Sequence, residues 1–292
     1  MAKLEKPSAI DRLDAIVDLA DGIMVARGDL GVEMNPWDVP VIQKRITDSC
    51  KRRGKPCVIA TQMLESMIEN PTPTRAEASD CATAIFDSAD AVMLSAESAA
   101  GKYPVESVTM QHRIIDKVET DENYRANLDR FVSQDCFANA HDVTDIAITL
   151  AARQVADVSG SKAIISFTTS GHTALRVSML RPHVPVIAAC YDIETARSLA
   201  LAWGVYPIVI DRPASNKAFN LRDELEKVCK KVVAKGYADP EKDLLTTTAG
   251  LPFGLTGTTN GLRVISAKGP DYWRDRNNEL HLYTGDEYRD HH

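Results

Sequence analysis

The sequence predicts an α/β protein with two parallel sheets, one after the other along the chain. Short apolar runs alternate with segments whose apolar residues recur at helical spacing, and a stretch of weak periodicity, 125–141, separates two such series. A chain of 292 residues with 44% apolar composition can bury a large core, and its length favours about two domains. We therefore expect one domain over 1–125 and a second over 126–292.

The elements of the first series follow from the spacing of apolar residues and from the residues that bound them. Apolar residues from Ile10 to Ala20 recur at helical spacing, with Pro7 before them and Gly22 after them, which predicts a helix. Apolar runs too short for a helix are predicted as parallel strands joined by helical crossovers. The predicted elements are helix 8–20, strand 22–26, helix 41–53, strand 57–61, helix 75–88, strand 91–94 and helix 104–123.

The second series begins with a long alanine-rich helix and then repeats the same alternation. Its last apolar run, 263–266, is expected at an edge of the second sheet. The predicted elements before it are helix 143–158, strand 163–167, helix 172–180, strand 186–189, helix 194–202, strand 206–210, helix 217–234 and strand 244–248.

Composition excludes several classes of function. A net charge of −7 removes the electrostatic basis for nonspecific binding to nucleic acid. We expect no membrane span, because no apolar run approaches the roughly 18 residues that one requires, and the amino terminus has no signal-peptide pattern. The six cysteines include no Cys-x-x-Cys pair, which favours buried, reduced thiols over disulfides or zinc ligands. These features predict a cytoplasmic protein.

Two acidic residues follow consecutive predicted strands. Glu5 and Asp29 are expected at the same edge of the sheet, because the carboxyl ends of parallel strands meet there. Two carboxylates suit Mg²⁺ or Mn²⁺, which takes its remaining ligands from water and from a phosphorylated substrate. The alternative is that each acid caps a neighbouring helix. The register of the two segments favours the metal site.

A lysine and a glycine-containing turn are expected beside these acids. Lys3 shares a strand face with Glu5, so its ammonium can stabilise a phosphoryl group in transfer. Otherwise it is a surface lysine. The backbone amides of Ala26, Arg27, Gly28 and Asp29 form a turn that suits a substrate carboxylate. Arg27 can equally serve in a structural ion pair.

Three further polar residues lie at the end of the next predicted strand or just after the strand that follows it. Thr61 is expected at the same edge, where its hydroxyl can bind substrate or a water that relays a proton. It can also be an ordinary residue at a strand end. Ser95 and Glu97 follow the next strand and can extend such a relay, although capping of the following helix is the default interpretation.

The second series contains a turn suited to phosphate. Small hydroxyl residues and exposed amides join a strand to a helix there, as in a phosphate cradle, although an ordinary capped turn has the same composition. A long glycine-rich loop, 250–260, is expected to close over the same ligand. The turn consists of Thr168, Thr169, Ser170, Gly171, His172 and Thr173.

Several segments occur in the order and spacing of one enzyme family. They are 3–5, 21–33, 60–67, 73–77, 92–97, 101–104, 169–171 and 257–260. In these segments the chain resembles the carboxyl-terminal part of pyruvate kinase. The resemblance implies a partial (β/α)₈ TIM barrel, containing the last three or so strands, followed by a three-layer α/β domain that binds effectors and forms oligomers.

The resemblance also implies a reaction, the transfer of phosphate from phosphoenolpyruvate to ADP to give pyruvate and ATP. Glu5 and Asp29 would hold Mg²⁺, and Lys3 would stabilise the moving phosphoryl group. The amides from Ala26 to Asp29 would bind the substrate carboxylate. Thr61 would lie beside the carbon that is protonated, and Ser95 would aid the proton relay. The Thr-Ser-Gly turn would bind a phosphorylated effector.

The family also has an amino-terminal half that carries the other barrel strands and the K⁺ ligands. We therefore expect activity only when that half completes the barrel, and we expect the chain to associate with it or with further copies of itself. Two alternatives stay open. One is a non-catalytic fragment for effector binding or oligomerisation, and the other is a metal-dependent aldolase that acts on pyruvate.

Overall fold

The chain forms two compact units, Met1–Asn139 with Leu201–Trp203, and Ala140–Ala200 with Gly204–His292. The computed structural model describes residues 1–134, 143–212, 220–250, 259–274 and 279–283. Each unit contains its own sheet and its own buried apolar cluster. The two sheets predicted from the sequence are therefore confirmed.

The first unit contains a four-stranded sheet in which every pair of neighbours is parallel. Its strands are β1 (Ala2–Leu4), β2 (Ile23–Ala26), β3 (Cys57–Ala60) and β4 (Ala91–Met93), in the spatial order β1-β2-β3-β4. The last residues of the strands lie side by side, since Leu4 pairs with Val25, and Ala26 pairs with Ala60, which in turn pairs with Met93. The residues that follow the strands therefore meet at one edge.

Helices connect these strands and cover the sheet. Leu4, Val25 and Ile59 from the strands lie in one buried cluster with Ile46 and Cys50. The helices are α1 (Pro7–Asp11), α2 (Leu13–Leu19), α3 (Arg27–Glu33), α4 (Val39–Arg53), α5 (Arg75–Phe86), α6 (Ala96–Ala99), α7 (Pro104–Glu119) and α8 (Glu122–Gln134).

The structure corrects the prediction of one helix over 8–20. The helix is interrupted at Arg12, whose φ of −116° and ψ of 25° lie outside the helical region. Ile10, Leu13 and Val17 are buried on both sides of the interruption. The apolar spacing therefore identified these buried residues, but Leu19, which it also included, is exposed, and it did not reveal the local break in the backbone.

Two further helices replace segments that were predicted as irregular. The turn expected after β2 is the start of α3, which forms although glycine disfavours helices, because Leu30 is fully buried in the core. The weakly periodic stretch after 125 continues helix α8. Tyr124 and Leu128, one helical turn apart, pack against Ile85 and Val118. The prediction that this stretch has no clear core was wrong at Leu128.

The second unit contains a five-stranded sheet in the order β7-β6-β5-β8-β9. Neighbouring strands are parallel except for β9, which runs antiparallel to β8. The position of β9 at one edge is the one that the sequence predicted, whereas its direction was not predicted. The strands are β5 (Ile164–Phe167), β6 (Val186–Cys190), β7 (Val205–Val209), β8 (Leu244–Gly250) and β9 (Thr259–Ser266).

The described residues of this unit form four α-helices, and the last of them contributes to the core of the sheet. Leu225 and Val228 of the last helix lie in a buried cluster with Ile165, Ile187 and Leu245 of three strands. A hairpin of β10 (Tyr272–Arg274) and β11 (Leu280–Leu282) follows and was not predicted. The helices are α9 (Val143–Ser159), α10 (His172–Met179), α11 (Ile193–Ser198) and α12 (Leu221–Ala234).

The described cysteines have the state that the sequence predicted. Cys50, Cys57, Cys81, Cys190 and Cys229 are all buried and free. Burial raises the pKa of the Cys81 thiol to about 11 and that of Cys190 to about 12, so both stay protonated at neutral pH. Cys136 lies outside the described residues. None of the described helices has the length and apolar character needed to cross a membrane.

Candidate functional site

Lys3, Glu5 and Asp29 meet beyond the ends of β1 and β2. The Nζ atom of Lys3 lies 2.6 Å from Oε2 of Glu5 and 2.7 Å from Oδ2 of Asp29. These hydrogen bonds raise the pKa of Lys3 and lower that of Asp29, which keeps both groups charged. The three side chains are between 40% and 53% exposed, so solvent and ligands can reach them.

The donor set around Lys3 fits a divalent cation. Glu5 and Asp29 direct carboxylate oxygens at one positive group, and oxygen ligands are those that Mg²⁺ and Mn²⁺ prefer. Among the described residues, no cluster of three or more His, Cys, Asp or Glu side chains could hold a metal. A metal held by Glu5 and Asp29 would have room for further ligands, such as water or a substrate.

The predicted carboxylate turn lies directly beside this cluster. Ala26 ends β2, and Arg27, Gly28 and Asp29 form the first turn of α3. The amide of Gly28 donates a hydrogen bond of 2.8 Å to Oγ1 of Thr61. A Cβ at position 28 would lie 3.3 Å from the same oxygen, so glycine allows this close approach. Thr61 is thereby linked to the residue that precedes Asp29.

Arg27 is buried, with only 7% of its surface exposed, and its guanidinium contacts protein atoms. NH1 donates to Oδ1 of Asp80 at 2.7 Å, and NH2 donates to the carbonyl oxygens of Thr61 at 2.7 Å and Gln62 at 3.0 Å. Of the two roles that the sequence left open for Arg27, these contacts fit the structural ion pair.

Ser95 follows β4 and lies next to a buried carboxylate. Glu97 is 2% exposed, and its two oxygens accept hydrogen bonds from the amide of Ser95 at 2.7 Å and from that of Leu64 at 3.2 Å. Glu97 therefore ties the segment after β4 to the segment after β3, which carries Thr61. The sequence suggested a relay or a helix cap for Glu97, but it did not indicate the contact with Leu64, which lies 33 positions away.

A second carboxylate supports the same region and was missed from the sequence. Glu77 accepts hydrogen bonds from the amides of Ser66 and Thr74, both at 2.7 Å, and Thr74 caps α5 in return. The pattern Thr-x-x-Glu before a helix is a capping box, so the sequence did contain a signal for this half of the arrangement.

The turn predicted to bind phosphate lies between β5 and α10. Gly171, at a φ of 88°, donates its amide to Oγ1 of Thr168 at 2.8 Å. Thr168 and Thr173 are buried, whereas Thr169 and Ser170 are exposed. The glycine-rich loop expected over this turn lies outside the described residues from 251 to 258.

The turn is anchored to two other elements of the second unit. Oγ1 of Thr173 lies 2.7 Å from Oγ1 of Thr259 on β9. Nε2 of His172 lies 3.1 Å from Oδ2 of Asp145 on α9, and Arg176 adds a longer ion pair of 3.7 Å to the same oxygen. Burial would raise the pKa of Asp145, but hydrogen bonds from His172 and Thr259 lower it. Asp145 was not among the residues that the sequence indicated.

Comparison with known proteins identifies the family of this chain. Residues 1–108 match the barrel domain of pyruvate kinase, and residues 146–265 match its alpha/beta domain. The chain belongs to the pyruvate kinase family. The pyruvate kinase of Methylorubrum extorquens is 47% identical over 90% of this chain, and that of Clostridium acetobutylicum is 44% identical over 90%. Each alignment covers 53% of the relative.

A solved pyruvate kinase has the same fold. The crystal structure of a pyruvate kinase from Cryptosporidium parvum superposes with a TM-score of 0.78 and 33% identity, covering 91% of this chain and 50% of that one. The chain thus spans about half the length of the relatives that it matches. These matches confirm the predicted partial TIM barrel followed by an α/β domain, and they favour the kinase over the aldolase alternative.

Proposed function

We propose that this chain contributes to the pyruvate kinase reaction, in which a phosphoryl group passes from phosphoenolpyruvate to ADP. One observation carries the proposal: the ammonium of Lys3 lies within 2.7 Å of carboxylate oxygens from both Glu5 and Asp29. A phosphoryl group in transfer spreads negative charge over its oxygens, so a cation and a metal site at one point suit this step.

Glu5 and Asp29 are the proposed ligands of Mg²⁺ or Mn²⁺. The metal, when bound, would neutralise charge on the phosphate and polarise its oxygens. Lys3 already contacts both carboxylates, so its ammonium is positioned to turn from them to the phosphoryl group. K⁺ is a further proposed cofactor of the complete protein, with no ligand for it proposed among the residues of this chain.

The remaining groups of the site are proposed to bind the carboxylate of the substrate and to transfer a proton to it. We assign the carboxylate of phosphoenolpyruvate to the amides of Ala26, Arg27, Gly28 and Asp29. The hydroxyl of Thr61 already accepts a hydrogen bond from Gly28, which supports a place for it beside the same substrate. Thr61 and Ser95 would then deliver a proton to the enolpyruvate carbon, directly or through water.

The first unit is expected to need further strands for activity. Its sheet has parallel strands at both edges, β1 and β4, and these edges can pair with additional strands. A closed barrel of parallel strands requires about eight strands. We propose that the missing strands come from an amino-terminal half, and that the complete protein forms homo-oligomers in a reducing, cytoplasmic compartment, which the five buried thiols support.

The test is an assay that couples pyruvate formation to lactate dehydrogenase. The chain is measured alone and together with the amino-terminal half of a close relative, supplied as a separate polypeptide. We call the mixture of the two polypeptides the completed preparation. We expect it to show turnover that requires phosphoenolpyruvate, ADP and Mg²⁺, and we expect little or no turnover from the chain alone. An absence of turnover in both preparations would contradict the proposal.

The second unit supports an additional role in effector binding. Its sheet and core are separate from those of the first unit, and the turn from Thr168 to Thr173 is anchored by buried contacts. We propose that Thr168, Thr169, Ser170, Gly171, His172 and Thr173 bind a phosphorylated effector. Calorimetry with sugar phosphates should show binding that Ser170→Ala weakens. If no sugar phosphate or nucleotide produces heat, this role fails while the kinase proposal stands.

A further inference from the structure

Two consecutive residues at the end of β3 have an unusual backbone conformation. Thr61 and Gln62 have φ values of 71° and 53°, in the left-handed region that residues with side chains rarely adopt. Such a conformation persists only when surrounding contacts hold it in place. Gln62 is exposed, so packing of its own side chain does not explain the conformation.

The guanidinium of Arg27 supplies those contacts. Its NH2 group donates to the carbonyl oxygens of both left-handed residues, Thr61 at 2.7 Å and Gln62 at 3.0 Å. Asp80 on α5 orients the guanidinium from the other side through NH1, at 2.7 Å. The planar group can serve a carboxylate and two carbonyls at once, whereas a lysine ammonium lacks this fixed geometry.

The conformation at Thr61 decides where its hydroxyl points. Oγ1 of Thr61 accepts the hydrogen bond from Gly28, and Gly28 directly follows Arg27 and precedes Asp29. Arg27 thus sits on one side of Thr61 and holds its backbone, while the next residue along the chain contacts its hydroxyl. The guanidinium is buried, and a move towards a ligand would break its hydrogen bonds to Asp80, Thr61 and Gln62.

We propose that Arg27 is a positioning residue for Thr61 rather than a ligand of the substrate. Asp80 fixes Arg27, Arg27 holds Thr61 and Gln62 in the left-handed conformation, and this conformation presents the Thr61 hydroxyl to the substrate site. The importance for catalysis rests on the proposed kinase function, but the structural part of the inference does not.

The structural part is tested by NMR on the whole chain with ¹⁵N-labelled glycine. The Gly28 amide reports its hydrogen bond to Thr61, and Thr61→Val gives the resonance position without that bond. We expect Arg27→Met to move the Gly28 resonance towards its position in Thr61→Val. Adding Gln62→Gly to Arg27→Met should reverse part of this change, because glycine adopts the left-handed conformation without steric penalty.

Arg53→Met is the matched control. Arg53 is another well-bonded arginine of the first unit, with contacts to Asp14, Asp18 and Ser49, but it lies in the last turn of α4 rather than beside Thr61. Its replacement should leave the Gly28 resonance in place. A Gly28 resonance that Arg27→Met also leaves in place would overturn the inference. If Arg27→Met fails to fold, Arg27→Lys is measured in the same way, with the same two outcomes.

The catalytic part is tested in the completed, active preparation. We expect Arg27→Met to lower kcat about 100-fold, as a misplaced catalytic group does, while KM for phosphoenolpyruvate changes much less. In the double variant, Gln62→Gly should raise kcat about tenfold above that of Arg27→Met, because glycine removes the steric cost of one left-handed residue. Gln62→Gly alone should have little effect on kcat. A rise in KM with kcat unchanged, and no rescue, would instead make Arg27 a substrate ligand. Absence of turnover in the unsubstituted preparation would refute the kinase proposal and leave the NMR result intact.

Discussion

The charged cluster at the candidate site of the first unit and the one at the turn of the second unit differ in their exposure to solvent. In the first unit, Lys3 and Asp29 form an ion pair in which both side chains are about half exposed. In the second unit, Asp145 is only 1% exposed and is surrounded by His172 and Arg176. Exposed ion pairs contribute little to folding, whereas removal of one partner from a buried pair is costly.

This difference separates the roles of the two sites. The contacts among Lys3, Glu5 and Asp29 contribute little to the stability of the fold. A role in ligand binding therefore explains why these three side chains meet better than a role in folding does. Asp145 holds the turn at α10 as part of the folded core. Substitutions in the first cluster should therefore change chemistry and leave stability unchanged, while substitutions around Asp145 should change stability and ligand binding together.

The largest expected effect is on turnover. Asp29→Asn removes a negative charge from the proposed metal site, and we expect kcat in the completed preparation to fall at least about 100-fold. The midpoint of urea unfolding should stay close to that of the unsubstituted chain, because the pair is exposed. If Asp29→Asn kept its activity but unfolded at a lower urea concentration, Asp29 would have a structural role, which would contradict the contrast drawn between the two clusters.

The next effect concerns the stability of the second unit. Asp145→Ala should lower the free energy of unfolding of the second unit by about 3 kcal/mol, because the change removes a buried carboxylate together with its contacts to His172 and Arg176. Glu226→Ala removes an exposed partner of Lys230 in the same unit and serves as the control, with an expected change within about 0.5 kcal/mol. Equal losses from both variants, measured by urea unfolding, would show that the burial of Asp145 has no special energetic role.

The same carboxylate predicts a dependence on pH. The pKa of Asp145 is lowered in the folded state from its ordinary value of 3.8. Its ionised form therefore contributes stability that is fully present above pH 3.8 and is lost as the pH falls through the lower folded pKa. Acid unfolding followed by circular dichroism should be shallower in Asp145→Asn than in the unsubstituted chain below pH 3.8. Identical slopes would contradict this linkage.

A smaller effect is expected at the turn itself, where two glycines can be compared. Gly171 and Gly160 both have left-handed backbones, but a Cβ at 171 would lie 3.1 Å from Leu199, whereas a Cβ at 160 meets nothing within 4 Å. Each Gly→Ala change should cost about 1–2 kcal/mol for the backbone conformation. Gly171→Ala should cost more and should also weaken effector binding. Equal losses in unfolding experiments would mean that Leu199 moves aside freely.

Much of the fold was predictable because its signals are local. The alternation of apolar runs and helical segments located the strands, and the edge position of β9 followed from its place at the end of the series. The helix at Arg27 was not predictable from local preferences, because glycines at 28 and 31 disfavour it and the burial of Arg27 and Leu30 offsets them. The α8 segment was missed because, over 122–129, where burial is described, only Tyr124 and Leu128 are buried.

The candidate site was predictable to a similar degree. Strand alternation and the alignment of strand ends brought Lys3, Glu5, Asp29 and Thr61 to one edge. The supporting contacts were not predictable, since Arg27 reaches Asp80, and Glu97 reaches Leu64, across distances in sequence that no local pattern encodes. Their geometry depends on how neighbouring strand ends are packed in three dimensions.

The central claim, that Glu5 and Asp29 share one divalent ion, is tested most directly by Mn²⁺ binding measured with electron paramagnetic resonance. The completed preparation is titrated with Mn²⁺ in the presence and absence of phosphoenolpyruvate, before and after Asp29→Asn. We predict one site per chain that phosphoenolpyruvate tightens and that Asp29→Asn weakens at least about tenfold, since a charged metal ligand is lost. Mn²⁺ affinity that Asp29→Asn leaves unchanged would contradict the account.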